Sequence, residues 1–217
     1  MASVLSEPMA PTKPAPIPVK VVVAGGFGVG KTTFVGAISD IDPLTTEAPI
    51  TELGAAVDDR SKVTSKTTTT VAMDFGRVAV DELLVLYLFG TPGQDRFGFM
   101  WDDLITGALG AVVIVDSRRI EDAFPALDYF ENRTIPFVVA VNRFGGGTEH
   151  SLEEIAEALD IDPEVPVVET DARDRESVKE VLLAMLDIVL NRAVSRQKVS
   201  TQVARLQKRN DLAAPRA

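Results

Sequence analysis

The sequence has no cysteine among its 217 residues, which excludes disulfide frameworks, thiolate zinc sites, cysteine nucleophiles and prenylation of a C-terminal cysteine. Its single histidine, His150, follows three glycines and Thr148-Glu149 in a loop-like stretch, so no histidine metal cluster can form around it. No window approaches 18 uninterrupted apolar residues, and the first 18 residues have neither the basic start nor the apolar stretch of a secretory signal. A cytoplasmic protein is expected. What is present, 46% hydrophobic and 25% charged residues, is the balance of a globular domain rather than of a disordered or membrane-spanning chain.

The net charge of −10 is unevenly spread. From Asn191 to Ala217 the chain carries +6, which leaves −16 for the rest. An acidic body argues against general nucleic-acid binding, whereas the basic end suits an acidic partner, peripheral contact with anionic lipid, or simply a solvated, fraying tail. Five prolines in the first 18 residues favour an extended lead-in. The expected organisation is therefore a disordered 1–18, a nucleotide-binding domain over 19–190 and a basic tail over 191–217.

Val19–Ala24 is a short β-branched run ending in glycines, and Lys31–Ser39 reads as a helix. Asp40–Lys66, with Pro43, Pro49 and Gly54 and no clear period, reads as a long mobile loop placed for function. Thr67–Val80 and Leu83–Phe89 predict an antiparallel pair turning at Asp81-Glu82. The runs Ala111–Val115 and Phe137–Val141 follow helix-compatible segments, Arg96–Thr106 and Glu121–Glu131, in βαβ alternation. Ser151 and Glu154 form a capping-box pattern, Pro166–Glu169 predicts a last strand, and Ser177–Leu190 has a helical apolar face. The fold class is α/β: a P-loop NTPase with a mostly parallel six-stranded sheet, one antiparallel strand and helices on both faces.

Gly25-Gly26-Phe27-Gly28-Val29-Gly30-Lys31-Thr32 matches G-x-x-x-x-G-K-[ST] in the context the motif needs, after an apolar strand and at the start of a helix. Glycines let successive N–H groups turn toward phosphate oxygens, and the helix N-terminus adds partial positive charge. Lys31 then neutralises the β- and γ-phosphates, Thr32 offers a hydroxyl to Mg²⁺, and Thr33 adds a contact in the first helical turn. Such a loop fixes triphosphate binding without choosing the base or the reaction.

Over roughly Val19–Leu190 the sequence resembles Ras-like small GTPases. Gly90-Thr91-Pro92-Gly93-Gln94-Asp95-Arg96-Phe97 resembles the family's D-x-x-G-Q segment, which implies that the Gly93 amide senses the γ-phosphate and that Gln94 orients the attacking water. Gly90, however, stands where the family places the aspartate that supports Mg²⁺. The Thr-Pro-Gly form without that aspartate is similar to bacterial gliding-motility GTPases, and more similar still to the ATP/GTP-binding proteins of actinobacterial conservons. Val115-Asp116-Ser117-Arg118-Arg119 and Asp171-Ala172-Arg173-Asp174-Arg175-Glu176-Ser177 strengthen the conservon comparison. Thr70 occupies the place of the switch threonine that covers Mg²⁺, although a threonine-rich strand also satisfies β propensity with no site at all.

For the base, Asn142-Arg143-Phe144-Gly145 stands where the family has N-K-x-D, and Thr170-Asp171-Ala172-Arg173 resembles its S-A-K loop. Gly145 lacks the guanine-reading carboxylate, a loss of about 1–3 kcal/mol in base selectivity. Arg143 and Arg173 take the places of two lysines, and each suits a solvated surface equally well. The resemblance implies GTP and GDP with Mg²⁺, catalytic roles for Gln94 and Lys31, and a slow, partner-stimulated GTPase acting as a switch beside a roadblock-type protein and a sensor kinase. Phe27 is expected to obstruct the approach of a catalytic glutamine and an arginine, and Arg60, Lys62 and Lys66 are candidate cations in the mobile loop. Two rivals are an ATP-using P-loop enzyme with Asp116 as the Mg²⁺ carboxylate and a scaffold that holds nucleotide without cycling.

Overall fold

The computed structural model describes residues 14–49, 70–93, 100–144 and 150–213. Seven strands form one sheet: β1 (Ile17–Ala24), β2 (Leu44–Pro49), β3 (Thr70–Ala79), β4 (Leu84–Gly90), β5 (Ala108–Val115), β6 (Phe137–Asn142) and β7 (Val167–Thr170). Their order is β2-β3-β4-β1-β5-β6-β7. The pairs β4–β1, β1–β5, β5–β6 and β6–β7 are parallel, while β3 is antiparallel to both its neighbours. The α/β class and the single antiparallel strand are as expected. The count is one higher than six, because Leu44–Pro49, inside the segment read as a loop, pairs along β3 and forms the sheet edge.

Among the described residues five helices accompany the sheet: α1 (Lys31–Ile38), α2 (Trp101–Ile105), α3 (Phe124–Asn132), α4 (Leu152–Ala158) and α5 (Arg175–Ala213), with a 3-10 turn at Ile120–Ala123. Alternation along the buried strands divides the core. Val21 and Val23 face Phe34 and Val35 of α1 and Val178, Val181 and Met185 of α5. Val22 and Ala24 face Trp101, Leu127, Phe130 and Ile155 of α2, α3 and α4. Ser151 and Glu154 close both halves of the expected capping box at α4. At the β3–β4 turn, Asp81 Oδ1 accepts from the Leu83 and Leu84 amides at 2.7 and 2.8 Å.

Helix α5 corrects the expected tail. It runs 39 residues, through the basic segment to Ala213, where the apolar face had marked an end near Leu190. Residues 191–198 are exposed on it, so that part is held by helix propensity rather than by burial. Among the described residues no helix is long and apolar enough to cross a membrane.

Candidate functional site

β1 lies at the centre of the sheet with β4 and β5 on either side, so its carboxyl end opens at the point where strand order reverses, the usual ligand crevice of an open α/β sheet. The chain turns there through Gly25 (φ 136°) and Gly30 (φ 105°) into α1. A Cβ on Gly25 would lie 2.3 Å from the Ile114 carbonyl oxygen, so the residue is held to glycine by space as well as by torsion. No side chain caps α1, whose first bond runs from the Phe34 amide to the Gly30 carbonyl at 2.8 Å. The free first-turn amides are an anion site by construction.

Lys31 lies along the loop it follows. Its Nζ donates to the Gly25 and Gly26 carbonyls at 2.8 and 2.6 Å, and the residue is 8% exposed. Burial pushes its pKa down to about 8, against the opposing pull of the Asp74 charge. Gly93 covers it: a Cβ there would come 2.5 Å from Lys31 Nζ, 2.9 Å from the Gly26 oxygen and 3.0 Å from the Phe27 Cα. The structure thus joins Lys31, the loop and Gly93 at one point. Phe27, expected to fill the approach, is 68% exposed and stands at its rim.

Asp74, not anticipated from the sequence, places a carboxylate beside Gly90. On β3 it falls opposite Gly90 of β4, one step beyond the Phe75–Phe89 pair, and a Cβ on Gly90 would lie 3.0 Å from the Asp74 Cβ and 3.1 Å from its Oδ2. The Thr32 hydroxyl donates to Asp74 Oδ2 at 2.7 Å, and Asp74 is 5% exposed. A hydroxyl and a carboxylate beside a phosphate loop form the hard-oxygen donor set that Mg²⁺ selects, so the residues present fit that ion. The detectable sequence signal was an aspartate between the apolar residues Met73 and Phe75 of β3.

Asp116, weighed as a Mg²⁺ carboxylate, has another task. Its buried oxygens accept from the Arg118 amide, Nε and Nη2 at 3.0, 2.8 and 2.8 Å. That guanidinium holds the Asp116 carboxyl below its usual range, and Thr32 is bonded to Asp74 instead. This geometry puts Asp74, and not Asp116, in contact with the Thr32 hydroxyl.

The second half of the site is joined to the first by Asn142. Its Nδ2 donates to the Val29 carbonyl at 2.9 Å, its Oδ1 accepts from the Ala172 amide at 3.0 Å, and a Cβ on Gly30 would strike Nδ2 at 2.7 Å. Asn142→Ala would leave a buried carbonyl and a buried amide unpaired, a cost of about 2–3 kcal/mol, expected as a drop of roughly 5–10 °C in Tm in the absence of nucleotide. A melting curve unchanged from the wild type would contradict it.

Around this link Arg143 pairs with Glu169, and Arg173 grips Asp171 through Nε and Nη2 at 2.9 and 2.7 Å. The Arg173 fork draws the Asp171 pKa down to about 2. Both arginines are exposed, and both are paired across the rim where a base would lie. Val29 is buried, whereas Gly28 and Thr33 are exposed. Thr70 is paired with Pro49 at the start of β3, four residues and roughly 13 Å along the strand from Asp74, so the structure does not bring it to Thr32. Gln94, Gly145 and the candidate cations Arg60, Lys62 and Lys66 lie outside the described residues.

Fold and site together define a P-loop nucleotide-binding domain of GTPase-like topology. The chain belongs to the family described as conserved hypothetical ATP binding proteins, whose model matches residues 23–192. It is 30% identical over 127 residues to an uncharacterized protein of Methanocaldococcus jannaschii, a match covering 58% of this chain and 70% of that one. Its fold is similar to the cytosolic domain of the T. maritima FeoB iron transporter in a GDP form, with a TM-score of 0.57 at 19% identity, covering 82% of this chain and 65% of that one. The FeoB G-domain of Methanococcus jannaschii aligns with a TM-score of 0.53 at 16% identity, over 79% of this chain and 97% of that one. At these identities the likeness is one of fold.

Proposed function

We propose that this protein is a Mg²⁺-dependent GTP-binding switch with slow intrinsic hydrolysis. The observation that carries the reading is the Thr32–Asp74 pair at 2.7 Å beside the buried Lys31, because it restores the metal-supporting group that Gly90 lacks. Thr32 and Asp74 would hold Mg²⁺ against the β- and γ-phosphates, and the ion would supply charge neutralisation there. Lys31 binds the same phosphates, the Gly93 amide senses the terminal one and Gln94 orients water. The T. maritima FeoB cytosolic domain has been solved in GDP, GMPPNP and apo forms, a precedent on this fold for guanine-nucleotide binding.

The finer reading is a gliding-motility or conservon-type switch that works with a roadblock-type protein and a sensor kinase. It is supported by the Gly90–Gln94, Val115–Arg119 and Asp171–Ser177 segments. Association at the inner membrane surface would run through such partners or through the exposed basic residues Arg192, Arg196 and Lys198 of α5.

One observation favours ATP instead: Gly145 stands at the guanine-reading position, in a family described by ATP binding. Thermal-shift titration with GTP, GDP, ATP and ADP, each with Mg²⁺, decides between them, since stabilisation follows RT ln(1 + [L]/Kd). We expect guanine nucleotides to raise Tm at lower concentration than adenine nucleotides. The reverse order would replace GTP by ATP, and no shift with any of the four would remove the nucleotide reading.

A further inference from the structure

Resting on the GTPase reading, we propose that Arg119 is a built-in catalytic residue that places its guanidinium on the terminal phosphates during hydrolysis. The segment that carries it is fixed to the phosphate loop. A Cβ on Gly26 would lie 2.6 Å from the Asp122 Cβ, so the Arg119–Asp122 turn and the loop touch with no room for a side chain between them. From that turn Arg119 Nη2 donates to the Phe27 carbonyl at 3.3 Å, and a Cβ on Gly28 would be 4.0 Å from the same nitrogen. Arg119 also lines a cleft of about 430 Å³ with Gly26, Phe27, Gly93 and Asp122. The cleft therefore leads to the place where Lys31, Phe27 and Gly93 meet.

Its neighbour shows why Arg119 is available. Arg118 takes both oxygens of Asp116 at 2.8 Å, which leaves Arg119 with longer contacts, 3.4 Å to Asp116 and 3.3 Å to Asp122. These lie beyond the normal range for charge-assisted hydrogen bonds, and the side chain is about half exposed. Arg118 is spent on structure and Arg119 is held loosely over the loop. Rotation about its own side-chain bonds carries the fork from the outer carbonyl of the loop to the phosphate side.

In the reaction, the oxygen of one water bonds to the γ-phosphorus while the β–γ bridging bond breaks. The bond's electron pair stays on GDP, and the water's protons end on the released phosphate or in solvent. Negative charge gathers on the bridging and terminal oxygens in the transition state, and a planar fork of N–H donors answers that charge better than a point charge does.

The test measures single-turnover GTP hydrolysis, GDP affinity and formation of the GDP–aluminium fluoride complex for the full-length wild type, Arg119→Ala and Arg119→Lys. Expected is a fall in rate of about 100-fold for Arg119→Ala, with GDP affinity within roughly threefold of wild type. The aluminium fluoride complex, formed by the wild type alone, should be lost in Arg119→Ala. Arg119→Lys keeps a cation for the Phe27 carbonyl and should bind GDP normally while remaining slow, and added guanidinium ion should partly restore Arg119→Ala. Equal rates in wild type and Arg119→Ala overturn the inference. So does loss of GDP affinity in step with rate, which marks a structural pin, and so does a wild type that binds GTP without turning it over. A wild type that binds no nucleotide overturns the reading of the preceding subsection, and this one with it.

Discussion

Exchanging two residues across the β3–β4 pair, Asp74→Gly with Gly90→Asp, should restore Mg²⁺-dependent nucleotide binding that Asp74→Gly alone weakens. The single change takes the carboxylate from the Thr32 hydroxyl, which it meets at 2.7 Å. Losing a group that orients a metal ligand lowers metal affinity by about 10–100-fold. It also removes the charge that opposes the lowering of the Lys31 pKa, so less of the lysine is protonated at neutral pH and phosphate affinity falls a second way. Gly90→Asp alone should fail differently. Its Cβ would arrive 3.0 Å from the Asp74 Cβ, setting two carboxylates in one space, and the protein should lose thermal stability even without nucleotide.

Only the double variant has one carboxylate and room for it. Titrating Mg²⁺ at fixed GTP, with GTP affinity in EDTA as the reference, separates the metal effect from general damage. Three variants that all bind Mg²⁺–GTP as the wild type does would mean that Asp74 merely fills the space beside a glycine.

The same exchange shows why part of the site was legible and part was not. The phosphate loop declares itself because its turn, lysine and hydroxyl are consecutive, and the strand before it and the helix after it are local patterns too. Asn142 was readable as the end of an apolar strand, and Ala172 through the resemblance of Thr170–Arg173 to a family loop. Asp74 was not, since it comes beside position 90 only through the register of β3 on β4, a long-range fact that a one-dimensional motif does not contain. Asp116 misled for the reverse reason. A carboxylate at the end of a buried strand suggests a metal, but its true partner was Arg118, two residues away.

Extent was lost in two other places. Pro43 and Pro49 hid β2, because proline is read as a break although it is tolerated at the end of an edge strand. For α5, apolar periodicity locates only what is buried, so it stopped near Leu190 while the helix continued through the exposed residues 191–198.

Lys31→Ala should have the largest effect on binding of any single substitution, and its pH behaviour distinguishes a phosphate ligand from a structural lysine. At pH 7 the lost contacts to two phosphates should lower GTP affinity by about 100- to 1,000-fold, two charge-assisted bonds at about 1.5–3 kcal/mol each with partial compensation by water. The wild type should show a second signature. Its folded Lys31 titrates at about 8 against 10.5 for the unfolded residue, so between those values the unfolded chain holds the extra proton. Stability of the nucleotide-free protein therefore rises with pH across that window.

Nucleotide affinity moves the opposite way. A bound polyphosphate favours the ammonium form and raises its pKa, so above pH 8 binding must take up a proton and affinity should fall by up to about tenfold per pH unit. Lys31→Ala has no such proton to take up, and its weak residual affinity should lack that component between pH 7 and 9. Fluorescent-nucleotide titrations of both proteins across that range provide the measurement. If the wild-type and Lys31→Ala curves ran parallel, Lys31 would be no more than a tether between the Gly25 and Gly26 carbonyls.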